Sequence, residues 1–192
     1  MSFEEWFSKI QNSKSGGLLL LFNRLLREFE TDNFADADFQ GDLAFTVSES
    51  LKLPDLCGHA QWPQKSPSVR FKDWFTEYVV PYGTCFSSEE LWKIRNDCIH
   101  GALVSNNYGL NYPCLGKCAN WETMTVQRNL LNVCMLISRS ALGFYLQNHE
   151  KFEALNKSYR ANWRIYKSDT GLELVREFAL CLFEKNLIFG ES

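Results

Sequence analysis

The chain has 192 residues, of which 45% are hydrophobic, and a formal net charge of -3. That is enough chain and apolar content for one buried core, alone or with an appendage. The net charge argues against a strongly basic coat for nucleic acid, although a local basic patch on an acidic body is compatible with it.

Taken in chain order, most long segments have helical rhythm. Residues 3–12 predict a short helix. Residues 16–30 predict a longer one, with Leu18, Leu21, Phe22, Leu25, Leu26 and Phe29 on one broad face. A third helix is expected over 39–52, stopped by Pro54. Gln61 to Ser68 carries two prolines and reads as a loop. Val69 to Val80 follows as a helix ended by Pro81. The next helix spans 87–100 and opens at Ser87-Ser88-Glu89-Glu90. Residues 105–120 hold four Asn, two Gly and one Pro, and read as a long loop of a kind often tied to function. A long helix is expected over 122–148, with Val126, Leu130, Val133, Cys134, Ile137, Ala141 and Phe144 as its core stripe. A polar helix over 150–167 and an amphipathic one from Leu172 to Leu187 close the chain. No strand pattern, internal repeat or low-complexity tract stands out. The expected fold is all-α, an irregular helical bundle with an additional C-terminal helix.

Seven cysteines is an odd number, and the start, Met1-Ser2-Phe3-Glu4-Glu5-Trp6, is acidic and amphipathic, unlike a secretory leader. The expected location is a reducing cytoplasm, with most cysteines acting as small core residues. The run Leu18 to Phe22 is broken by Asn23 and Arg24 and falls short of the roughly 20 apolar residues a membrane helix needs.

The stretch that reads as chemistry rather than scaffold is Arg95-Asn96-Asp97-Cys98-Ile99-His100, followed by Gly101. On a helical wheel at about 100° per residue, Leu91, Ile94, Cys98 and Ala102 share an apolar arc that Trp92 and Ile99 extend. Arg95 falls inside that arc. A guanidinium there must pair with a carboxylate, reach the edge of the face, or point into a site for an anion. Its planar fork of donors suits a phosphate. His100 lies in the last helical turn, where the helix dipole favours imidazolium and draws the group toward neutral-pH acid/base work. Asn96, one turn earlier, can orient the imidazole or donate to a phosphate oxygen. Arg95 and His100 stand about 140° apart around a regular helix. They converge only if the helix frays or a second copy supplies the missing partner, which favours a site at a two-fold interface.

An Arg-polar-x-x-x-His run at a helix end within an all-α bundle resembles the HEPN superfamily. Arg95, Asn96 and His100 match its three motif positions. The stretches Val69-Arg70-Phe71-Lys72-Asp73-Trp74-Phe75 and Glu90-Leu91-Trp92-Lys93-Ile94 also resemble bacterial members. The likeness covers residues 16 to 148, within a single domain spanning 1–192, with 149–192 as a C-terminal helical extension. It implies a metal-independent endoribonuclease that needs no cofactor, commonly a homodimer, often found in toxin–antitoxin or phage-defence systems. Its partners would be RNA and, in a toxin, an antitoxin protein. In that reading a ribose 2′-OH attacks the adjacent phosphate, His100 transfers protons, Arg95 stabilises the phosphorane charge and Asn96 assists. Two alternatives stand beside it. One is a non-catalytic HEPN-like module that binds RNA, nucleotide or protein. The other is a helical scaffold in which Arg95 forms a structural ion pair with a carboxylate from the third helix and His100 caps its own helix.

Lys157, Arg160, Arg164 and Lys167 recur at helical spacing and form a candidate substrate-binding stripe, with Tyr159, Trp163 and Tyr166 beside it for base stacking. The plainer reading is an amphipathic helix with a solvated basic face. Asp36-x-Asp38-x-Gln40-Gly41-Asp42 opens like a calcium loop, but its twelfth position is Val47 and lacks the bidentate carboxylate, so no calcium site is expected. Cys57, His59, Cys114 and Cys118 have poor spacing for zinc, and no metal site is assigned. His59 and His149 read as isolated surface or loop histidines.

Overall fold

The computed structural model describes the backbone of residues 1–30, 40–99, 121–155 and 171–185, and side chains within those ranges except at 30, 40–45, 99 and 121–129. Every regular element among the described residues is helical. In chain order these are α1 (Phe3–Gln11), α2 (Gly17–Glu30), α3 (Gln40–Gln61), α4 (Pro67–Tyr78), a 3-10 turn (Val80–Tyr82), α5 (Ser88–Ile99), α6 (Trp121–Glu153) and α7 (Glu173–Glu184). The all-α bundle expected from the periodicity is therefore the observed architecture.

The core is one apolar cluster. α2 supplies Leu18, Leu19, Leu21, Phe22, Leu25 and Leu26, all buried. α3 packs against α6, α4 and α5, and α2 packs against α6, α7 and α3. The α6 stripe from Leu130 through Val133, Cys134, Ile137 and Ala141 to Phe144 is buried as the sequence spacing predicts. Leu130–Glu153 is long and apolar enough to cross a bilayer by length and composition, and just over half of its apolar 18-residue window is buried within the bundle. α7 is not a loose appendage, because its Val175 and Ala179 join the same core.

Two polar devices fix α7 and α5. The residue before α7, Leu172, offers no side-chain cap. Asn23 of α2 takes over that task from across the core. Its Oδ1 accepts from the Val175 amide at 3.3 Å and its Nδ2 donates to the Gly171 carbonyl at 2.7 Å. Both ends of a fully buried amide are thereby satisfied. At α5, the Ser87 amide donates to Glu90 Oε2 at 2.8 Å, and the Glu90 amide donates to Ser87 Oγ at 3.2 Å. This reciprocal capping box starts the helix where the Ser-Ser-Glu-Glu pattern places it.

Three sequence expectations are corrected. α3 does not stop before Pro54 but runs through it to Gln61. Proline removes one backbone donor and crowds the preceding turn. The burial of Leu51, Leu53, Leu56 and Cys57 on both sides of it outweighs that local cost. The helix expected from Val69 starts two residues earlier, at Pro67, where the missing N–H is harmless. α6 continues past 148 to Glu153 through a kink at Asn148 (φ -128°, ψ 24°), so 150–153 belongs to it rather than to a separate helix. There Asn148 Nδ2 donates to the Phe144 carbonyl at 3.0 Å, and the kink folds Phe152 back against Phe144 and Tyr145. The loop at 105–120 and the remainder of the 150–167 helix lie outside the described residues.

Candidate functional site

Arg95 stands just before the last turn of α5, on the side facing α3. Leu91, Ile94 and Cys98 bury the apolar arc around it, while Trp92 is half-buried. The Arg95 guanidinium lies over the Trp92 ring, 4.7 Å from its centroid, and Phe71 of α4 meets that ring edge-on at 5.3 Å. Arg95 Nη1 donates to Asn96 Oδ1 at 2.9 Å. Arg95 Nη2 lies 3.7 Å from Asp55 Oδ2, with the Arg95 side chain 18% exposed and that of Asp55 15%.

Asp55 serves a second arginine as well. Arg70 Nε donates to Asp55 Oδ1 at 3.0 Å, and the Arg70 side chain is only 10% exposed. One carboxylate from α3 thus bridges guanidinium groups from α4 and α5. The closer contact is a hydrogen-bonded ion pair. The longer one is electrostatic, beyond hydrogen-bond range. Among these three side chains the charges sum to one positive.

Gly58 makes the α3–α4 half of this arrangement possible. A Cβ at Gly58 would sit 2.7 Å from the Arg70 carbonyl oxygen and 2.9 Å from the Arg70 Cβ. Only a residue without a side chain lets α4 approach α3 closely enough to set Arg70 on Asp55.

α3 and α5 pair antiparallel. Asp55 meets Arg95, and Lys52, three residues earlier on α3, acts on the Cys98 thiol three residues later on α5. His59 lies one turn beyond Asp55 on α3. His59 is not an isolated loop histidine. It sits in the last turn of α3, feels both Arg70 and Asp55, and has its pKa lowered from 6.5 by burial first and by the Arg70 charge second, with Asp55 opposing. Cys98 is pushed up to about 11, by burial first and by Asp97 second. At neutral pH it is a protonated packing residue rather than a nucleophile.

Arg95 and Asn96 lie side by side, joined by the Nη1–Oδ1 hydrogen bond, whereas Asp55 and the role of Arg70 had no counterpart in the sequence reading. A helix stop read at Pro54 removed Asp55 from consideration. The ion pair weighed for Arg95 has its carboxylate three residues beyond the range that reading allowed. Arg70, bracketed by Val69, Phe71, Trp74 and Phe75, carried the available signal: a second guanidinium on an apolar helix face. His100, and the Lys157, Arg160, Arg164 and Lys167 stripe, lie outside the described residues.

No group of three or more metal-ligating side chains occurs among the described residues. Cys57 and His59 are two positions apart on a helix and so diverge by about 200°. Cys57 is buried in the core with its thiol pushed well up by burial, so the pair cannot share one ion. Cys114 and Cys118 lie outside the described residues. Gln40 to Val47, the second half of the calcium-like run, is helical. Compared with protein-family profiles, curated proteins and solved structures, the chain matches none.

Proposed function

We propose that this chain is a HEPN-like module that cuts RNA without a metal, with Arg95, Asn96 and His100 as its working residues. The observation that carries the reading is the setting of Arg95. An all-α bundle presents it near the C-terminal end of a helix capped at its start, oriented by Trp92, Asn96 and Asp55 and still partly exposed. A guanidinium so held is prepared to receive a phosphate without first losing rotamer freedom.

In the proposed reaction His100, paired with a second imidazole from a partner copy, removes the ribose 2′-OH proton. The 2′-oxygen attacks the adjacent phosphorus and the bond to the 5′-oxygen breaks. The second imidazole returns a proton to that oxygen, leaving a 2′,3′-cyclic phosphate and a 5′-hydroxyl. Arg95 stabilises the charge that builds on the phosphorane oxygens, and Asn96 steadies Arg95. Such a protein would act as a cytoplasmic homodimer, as a toxin held by an antitoxin or as a defence nuclease. Lys157, Arg160, Arg164 and Lys167 would steer the RNA backbone.

A second reading has its own support. The Asp55 contact to both arginines also describes a clamp that ties α3, α4 and α5 together, with no reaction at all. Cleavage of RNA in EDTA, abolished by His100→Ala in a protein that remains folded, supports the nuclease. RNA binding without cleavage supports the binding module. Loss of stability in Arg95→Ala, with neither binding nor cleavage in the unaltered protein, supports the clamp.

A further inference from the structure

We propose that Asp55 is a positioning residue for the Arg95 guanidinium, and that Arg70 holds Asp55 in place for that purpose. The inference rests on the RNA-cleaving reading above and names a residue that its motif does not contain.

The geometry divides the labour between the two carboxylate oxygens. Oδ1 accepts the 3.0 Å bond from Arg70 Nε, which fixes the plane of the carboxylate. Oδ2 is thereby directed at Arg95 Nη2, 3.7 Å away. At that separation Asp55 attracts the guanidinium without taking one of its hydrogen-bond donors. Trp92 supplies the floor beneath the guanidinium plane, and Asn96 occupies Nη1. Together these contacts orient the fork before any ligand arrives. Gly58 keeps Arg70 close enough to act.

This arrangement has a signature that a purely structural clamp lacks. The Asp55 charge repels an incoming phosphodiester while it aims the arginine at the place where charge develops. Removing that charge should leave ground-state RNA binding unchanged or tighter and should slow the chemical step. A structural role would lower both together, through the fraction folded.

The test uses the full chain in EDTA. Single-turnover cleavage of a short labelled single-stranded RNA of mixed sequence is compared with binding of its 2′-O-methylated form, which cannot be cut. The variants are Asp55→Asn and Arg70→Lys, and melting by circular dichroism confirms that they are folded. Asp55→Asn should cut at least about tenfold more slowly at saturating RNA, with the methylated RNA bound equally well or a few-fold tighter. Arg70→Lys keeps the charge but loses the orienting Nε bond, and should show the same split to a smaller degree. It also carries the test if Asp55→Asn does not fold. Folded variants that cut at the unaltered rate, or that lose rate only in proportion to binding, overturn the proposal while leaving the nuclease reading intact. An unaltered protein that cuts no RNA overturns both.

Discussion

At Gly58 the absence of a side chain decides where a charge goes. The atoms that a Cβ would strike belong to the Arg70 backbone and Cβ, not to a flexible side-chain tip, so α4 itself would have to move. Gly58→Ala should therefore cost about 1–3 kcal/mol, despite the better helix propensity of alanine. Urea unfolding would show it as a lower midpoint with an unchanged slope. The same shift would draw Arg70 off Asp55 and loosen Arg95. At this scale the sequence was partly legible. Arg95 announced itself as a charged group inside an apolar arc, with Asn96 beside it. Asp55 did not, because the proline beside it reads locally as a stop, and only burial contributed by other helices keeps α3 intact there.

The elements differ in how much of their definition is local. The start of α5 is specified locally. Its Ser87–Glu90 capping box is closed by residues three apart, and it was readable from those residues alone. Ser87→Ala removes the acceptor for the Glu90 amide and should cost about 1 kcal/mol, measurable as a lower melting temperature. Because α5 carries Arg95 and Asn96, any cleavage activity should fall as its first turn frays. α7 is the opposite case, since its N-terminal cap comes from Asn23, 152 residues away from Val175 in sequence, and nothing near Leu172 announces it. The kink at Asn148 was likewise hidden. Helical periodicity continues on both sides of it, and the cause is one side-chain amide taking the Phe144 carbonyl. Helix existence and core stripes follow from spacing. Helix ends and bends follow from single hydrogen bonds, several of them made across the bundle.

At the scale of the whole molecule, three groups among the described residues bind protons less readily in the fold than in the unfolded chain. His59 is lowered from 6.5 by burial and by Arg70. Glu5 and Glu90 are lowered from 4.5 by the hydrogen bonds of their capping boxes, Ser2 with Glu5 and Ser87 with Glu90. Protonation of each favours the unfolded chain, so the stability linked to it is full above its ordinary pKa and is lost as pH falls through the lowered value. Stability should therefore decline below about pH 6.5, where the His59 contribution begins to be lost, and decline further below about 4.5 as the caps protonate. Melting curves taken from pH 8 to pH 4 would check this, and His59→Gln should flatten the upper step alone.

The account turns on whether the end of α5 is a working surface or only a joint between helices. The most direct measurement is cleavage of a labelled single-stranded RNA in EDTA by the unaltered protein, by Arg95→Ala and by His100→Ala, each verified as folded. The account predicts cutting that leaves 2′,3′-cyclic phosphate ends and is reduced at least about a hundredfold by either substitution. An unaltered protein that leaves the RNA intact, or a folded His100→Ala variant that cuts as fast as the unaltered one, would contradict it.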